Sequence, residues 1–326
     1  MSALSATVML DTAMPIDTTL PCYSCGASRR ATLYRAPAFD ATDAATFTLV
    51  RCKQCGLVRT EPVLTEQELG RYYAAPYYGG GQRKFTGIVE WFTRLDNWRR
   101  AHRLRALLRA RATPARPKTN PWRILDIGCG RANLLAALAR QGCECHGVER
   151  QEFPLDQTRA GIHFYRDDLE NLPLAAESFD TIVLWHVLEH VNNPAATLRR
   201  VARLVRPGGI VALAVPNFSS WQAALFKSAW FHLDLPRHTY HFSRSVLEQL
   251  MGNYGLQPLK ISTWSFDQNV FGFIQSMLNW LSPPNSANNL YTLLKNSHGR
   301  GKKWHLFGWL ATAGLIAPQA LLEYLL

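Results

Sequence analysis

Cys22-Tyr23-Ser24-Cys25-Gly26 and Cys52-Lys53-Gln54-Cys55-Gly56 are two knuckles separated by 26 residues. Each pair can turn two thiolates toward one ion, and the glycine that follows permits the tight turn. Four thiolates close a tetrahedral shell, so Cys22, Cys25, Cys52 and Cys55 are expected to hold a structural zinc. A second set of residues is acidic. Asp126 stands just before Gly128-Cys129-Gly130, Glu149 lies 19 residues past Gly130, and Asp168 precedes Leu169. A glycine turn with an acid at the end of the next strand suits an adenosine-containing cofactor, whose ribose hydroxyls Glu149 can take. A dinucleotide site would carry a third glycine at position 133, where this chain has Asn133. Asp126 would repel a pyrophosphate, but it favours a ligand carrying an ammonium and a sulfonium. Asp168 can accept an adenine amino group, and three carboxylates together fit a cationic cofactor.

Histidines form two further clusters. His186, Glu189 and His190 match the H-x-x-E-H spacing of an inverted zinc-protease motif. That reading is rejected, because here the block leaves a strand of a parallel sheet instead of lying within a helix. His232, Asp234, Arg237, His238 and His241 crowd between Trp230 and Phe242, and polar residues this dense are poor core material. Arg237 has the fork geometry to hold a phosphate or carboxylate bidentately.

The elements that must position these groups follow from periodicity. Short strands are expected at 31–35 and 46–51, between the knuckles. Apolar residues at helical spacing, from Ile88 to Leu108, predict a helix over 84–111 whose other positions are rich in arginine. The proline-rich run from Thr113 to Pro121 cannot continue that helix. Strands then alternate with helices: strands at 123–127, 144–149, 162–166, 179–184 and 210–215, and helices at 133–141 and 194–205. The last helix starts with Pro194 in its first turn and is stopped by Arg206-Pro207-Gly208-Gly209. Such alternation implies an α/β fold, a Rossmann-like doubly wound sheet with helices on both faces.

With 326 residues, 47% of them hydrophobic and 18% charged, the chain can bury a sizeable core over about two units. The expected division is a flexible leader at 1–20, a zinc ribbon at 21–60, a helical basic connector at 61–121, the α/β domain at 122–263 and an apolar helical extension at 264–326. The net charge of +12 points to an anionic partner. The first 20 residues carry Asp11 and Asp17 and no basic start, so no secretory signal is read. The seven cysteines then belong to a reducing cytoplasm. Near the end, Lys295, Arg300, Lys302 and Lys303 precede an uncharged stretch at 306–322. At 17 residues it falls short of a spanning helix of about 20. It suits either an interfacial helix at an anionic leaflet or a core or dimer helix pair.

From 122 to 217 the motifs resemble the class I S-adenosylmethionine-dependent methyltransferases. Leu125-Asp126-Ile127-Gly128-Cys129-Gly130 resembles their first motif and Val148-Glu149 their ribose-binding strand end. Asp167-Asp168-Leu169 resembles the adenine contact, and Phe179-Asp180 with Val187-Leu188-Glu189-His190 the block around the fourth strand. More narrowly, the four-cysteine ribbon and the run from Trp230 to His238 resemble a bacterial branch often linked to methylation of cell-surface glycans or other small molecules. The resemblance implies S-adenosylmethionine held by Asp126, Gly128, Gly130, Glu149, Asp168 and Leu169. In some quinone-pathway methyltransferases a comparable acid-rich block binds a divalent ion; His186 replaces one acid here, which leaves a metal possible but unfavoured at this place.

In-line methyl transfer needs an aligned acceptor and a base for its proton. His238 or His241 is the expected base, with His190 next, and His232, Asp234 and Arg237 are expected to bind the acceptor. The acceptor is expected to be a small molecule or glycan, with the enzyme in the cytoplasm and in peripheral contact with the inner membrane face. Two alternatives are an RNA base methyltransferase, which predicts salt-dependent RNA binding, and a catalytically silent scaffold, which predicts cofactor binding without product.

Overall fold

The computed structural model describes residues 21–38, 45–73, 88–111, 121–150, 161–263, 265–281 and 291. The leader, most of the proline-rich linker and the apolar stretch at 306–322 lie outside the described residues.

Strand β1 (Arg30–Pro37) follows the first knuckle and β2 (Thr46–Cys52) runs into the second. Their antiparallel pairing sets Arg30 opposite Cys52, which brings the two knuckles to one end of the hairpin. The chain leaves the second knuckle as β3 (Val58–Glu61), which pairs with β2. Helix α1 (Glu66–Gly70) comes next, with Thr65 and Glu68 forming a capping box.

Helix α2 (Ile88–Ala110) is the expected basic helix. It is also a layer of the α/β domain. Ala101, Leu104 and Leu108 are buried in one cluster with Leu134, Leu135 and Leu138 of α3 (Asn133–Ala139). Their spacing puts all three on one face of the helix.

The parallel sheet comprises β4 (Arg123–Ile127), β5 (Glu144–Val148), β6 (His163–Tyr165), β7 (Phe179–Trp185) and β8 (Val205–Ala214), in the order β6-β5-β4-β7-β8. Side chains alternate between its faces. Ile124 and Val183 point into the cluster under α2 and α3. Leu125, Ile182 and Leu184 point the other way, against Val201 and Leu204 of α4 (Pro194–Leu204). Asn193 caps α4 by accepting from the Ala196 amide at 3.0 Å, a contribution of about 1 kcal/mol. Strand β8 corrects the expectation of a turn at 206–209 followed by a strand from 210. Val205 already pairs with Phe179 and Ile210 with Thr181, so the Arg-Pro-Gly-Gly residues form an irregularity inside the strand.

Helix α5 (Trp221–Phe226) follows, then the histidine-rich run, whose last residues form β9 (Tyr240–His241). Val58 pairs with His241 and Arg59 with Tyr240, so β9 is the fourth strand of the cysteine-ribbon sheet, in the order β1-β2-β3-β9. Helices α6 (Arg244–Gly252) and α7 (Phe266–Leu281) complete the described chain. Among the described residues no helix is long and apolar enough to cross a membrane.

Candidate active site

The cofactor turn lies at the carboxyl end of β4. Gly128 and Gly130 have φ of +68° and +51°, the left-handed region that glycine enters without strain. The Gly128 amide donates to the Val148 carbonyl at 2.8 Å, and the Gly130 amide donates to Glu149 Oε2 at 2.9 Å. A side chain at Gly128 would overlap Val187, so the His186–His190 block abuts the turn directly. Asp126 is buried, 5% exposed. Burial, and then the Glu149 charge, push its carboxyl up to about 7 against the pull of Arg100. Arg100 lies over the Trp185 ring, 3.9 Å from its centroid. Nothing in the spacing of α2 distinguishes this arginine from its neighbours. Asp168 is bonded to Arg150, which also reaches Glu66 of α1 at 2.9 Å. The Leu169 side chain is packed in the core with Val148 and Leu172.

Strand β7 ends in a turn that carries His186, Glu189 and His190. Glu189 is fully buried, and its backbone carbonyl accepts from the Thr239 and Tyr240 amides at 2.9 and 3.2 Å. That carbonyl fixes the second histidine run against the first. Glu189 Oε1 accepts from His186 Nδ1 at 3.0 Å, while Oε2 has no partner. Burial opposes the carboxylate charge, but the His186 bond and the surrounding imidazoles hold its pKa below the usual range.

Tautomers follow from the partners, because a carbonyl only accepts. His190 Nδ1 lies 2.9 Å from the Arg237 carbonyl and 3.0 Å from the Tyr73 hydroxyl, and so carries its proton there. His238 Nδ1 faces the His232 carbonyl at 2.9 Å and is protonated likewise. The neutral form of each ring therefore has its lone pair on Nε2; that of His238 lies 3.8 Å from Asp234 Oδ2, and the ring centroids are 4.6 Å apart. Burial, then His190, pushes the His238 imidazole down to about 4, which keeps it neutral. His241 differs. The Thr60 hydroxyl donates to the His238 carbonyl at 2.7 Å, so at 2.9 Å it must accept from His241 Nε2. Burial pushes His241 to about 3.

The residues expected to bind the acceptor are occupied within the protein. Arg237 Nε donates to both Asp234 oxygens at 3.1 and 3.0 Å, and its Nη1 donates to the Tyr72 carbonyl. His232 Nε2 donates to the Gln268 carbonyl of α7 at 3.2 Å, and only a glycine at 272 leaves it room. The structure thus brings His190 and His238 together and uses Thr60, Tyr72 and Tyr73, from the segment after the second knuckle, to fix them. Sequence reasoning did not single out those three, since no motif contains them.

The four cysteines converge. Cys22 and Cys55 sulfurs are 3.6 Å apart, as are those of Cys25 and Cys52. All four lie within 4.8 Å of one another. Sulfurs bonded to one zinc at about 2.3 Å stand about 3.8 Å apart in a tetrahedron, so the donor set fits that ion. The two knuckles are alike in detail: Gly26 and Gly56 amides donate to the Cys22 and Cys52 carbonyls at 2.7 and 3.0 Å.

A five-stranded parallel sheet with an acid-flanked glycine turn after its central strand is the frame of a class I methyltransferase. The chain belongs to the methyltransferase domain family, whose model matches residues 96–261, just over half its length. That match begins within α2. The domain is that of an enzyme using S-adenosylmethionine. A ubiquinone biosynthesis O-methyltransferase of Stutzerimonas stutzeri is 29% identical over 157 residues, covering 44% of this chain and 62% of that protein. Its counterpart in Cereibacter sphaeroides is 31% identical over 150 residues, covering 42% and 61%. The chain thus spans less than two thirds of the length of these curated relatives. Among solved structures, magnesium protoporphyrin IX methyltransferase of Synechocystis is 18% identical with a TM-score of 0.41, over 61% of this chain and 89% of that one.

Asp126 is expected to make cofactor affinity depend on pH. A cation beside it favours the ionised form, so binding expels the proton that Asp126 holds below about 7. Affinity for S-adenosylmethionine is therefore expected to be about tenfold weaker at pH 6 than at pH 8 by calorimetry. The Asp126→Asn variant should bind more weakly with a flat profile. A flat profile in the wild-type protein contradicts this role.

Proposed function

We propose that the protein methylates a small-molecule or glycan acceptor, with His238 or His190 taking the acceptor proton. The observation that carries this reading is the contact between Val187 and Gly128, which sets the His186–His190 block against the cofactor turn. S-adenosylmethionine, when bound, supplies an activated methyl group. Asp126, Glu149 and the Gly128–Gly130 turn would hold it, with Asp168 nearby once released from Arg150. Nε2 of His238 or His190 accepts the proton that the acceptor atom gives up. His241, Asp234 and Arg237 keep those rings oriented, as does His232 through α7. Relatives named as O-methyltransferases support an oxygen acceptor.

The four cysteines are inferred to hold zinc, supported by the sulfur spacing. Its chemistry there is structural, because four thiolates leave no open position. A peripheral seat on an anionic membrane surface belongs to the same proposal. Trp221 and Leu225 of α5 and Trp280 and Leu281 of α7 are exposed and support it. Incubating the protein with a cell-envelope extract and labelled S-adenosylmethionine is expected to place label in glycan or small-molecule material that partitions with vesicles. Label confined to RNA would overturn the reading.

A further inference from the structure

The acceptor side of this site is built from lone pairs. Glu189 Oε2 is buried and has no hydrogen-bond partner. His190 and His238 set their Nδ1 protons on backbone carbonyls, which leaves Nε2 of each neutral ring as an acceptor, that of His238 beside Asp234 Oδ2 at 3.8 Å. One nitrogen from each ring and one Glu189 oxygen lie within 4.8 Å of one another. Arg237, the cation that could have drawn an anion here, has its charge met by Asp234.

We infer that the acceptor presents at least two proton-donating groups on neighbouring atoms, hydroxyl or amino, and no anionic group at the end that enters this site. The inference rests on the reading of the histidine pair as the acceptor side. Two adjacent donors can satisfy the orphaned carboxylate oxygen and one imidazole together, leaving the second imidazole to take a proton. A phosphate or carboxylate would set its own lone pairs against these and face the Glu189 charge at short range. A bound metal fits less well. Ligand atoms on one ion at about 2.1 Å stand about 3 Å apart. Among the described residues neither His190 nor His238 makes an ion pair or hydrogen bond with Glu189, so the three atoms are held wider than that.

The test uses four probes on the full chain loaded with S-adenosylhomocysteine: cis-cyclohexane-1,2-diol, catechol, phenol and benzoate, titrated by calorimetry. At least one of the two diols is expected to bind about tenfold tighter than phenol, the worth of one extra buried hydrogen bond to a charged group, and benzoate is expected not to bind. Glu189→Gln should erase the preference for the diol while S-adenosylhomocysteine affinity is kept. Should that variant not fold, the wild-type ranking decides. Benzoate binding as well as the diols, no preference among the probes, or no binding of any overturns the inference. So does Mn2+ binding that Glu189→Gln abolishes, because the three atoms would then be ligands of a cation. Repeating the series with labelled S-adenosylmethionine separates the two claims. Diol preference without label transfer defeats the methylation reading and keeps the ligand class; transfer without preference does the reverse.

Discussion

Methyl transfer by the His190→Ala/His238→Ala double variant is expected to fall by about three orders of magnitude, the span of a lost general base. Affinity for S-adenosylmethionine should hold, because neither ring belongs to the glycine turn or its carboxylates. The two histidines are the expected pair because each has its Nδ1 proton fixed on a carbonyl, and among the described residues neither Nε2 makes a hydrogen bond. The pH profile carries the same signature. With His238 held down to about 4, its lone pair is present throughout the neutral range and is lost only as pH falls through that value. At saturating cofactor, a His238-dependent rate should therefore be flat from pH 8 to pH 6 and fall near 4. Single-turnover transfer of labelled methyl measures both. A loss of less than about tenfold in the double variant would remove these residues from the chemistry.

Removing the zinc proposed for the knuckles, by chelation or by Cys52→Ser, should lower turnover by about a hundredfold, the cost of misplacing reacting groups by about 1 Å. Cofactor affinity should change little. The reason is a division of the cores. Cys52, Cys55 and Leu57 share a cluster with Leu188, Leu198, Tyr240, Phe242 and Val246, so an opened ribbon disturbs the histidine loops first. Thr60, which fixes the His241 tautomer and the His238 carbonyl, lies on the strand leading out of the second knuckle. The glycine turn stands on the parallel sheet, whose strands, among the described residues, pair only with one another. Calorimetry for the cofactor and label transfer for turnover read the two effects separately. If both fall in parallel, the ribbon only stabilises the whole chain.

The parallel sheet was legible in the sequence because β4 and β7 are short apolar runs, each followed by its own helix. The β4, β5 and β7 strands, and α4 with its Asn193-Pro194 start, lie where periodicity puts them. The convergence of Cys22, Cys25, Cys52 and Cys55 was equally readable, since a hairpin between two knuckles has few other outcomes. What could not be read depends on partners far away in the chain. Strand β3 is only Val58–Glu61, three of its four residues polar, and it is a strand because β2 and β9 pair with it on either side. Arg237 reads as an exposed anion clamp because its type suits that task. In the fold, Asp234 three residues earlier takes the guanidinium and makes its burial tolerable. The burial of His232, His238 and His241 was hidden for a related reason, as their satisfying carbonyls carry no sequence signature. Arg150 was missed because its partners, Asp168 and Glu66, belong to separate elements.

The pairing of β3 with β9 closes a small sheet across a long stretch of chain. Thr60 and His241 meet across 181 positions. During synthesis from the amino end, β3 emerges early and waits as an unpaired edge until most of the methyltransferase domain has followed it. An exposed edge is a template for wrong partners, and loops this long close slowly. The ribbon is thus among the first parts made and among the last completed. Cysteine knuckles that take metal while still in a lone hairpin would hold β1 and β2 in register through that interval.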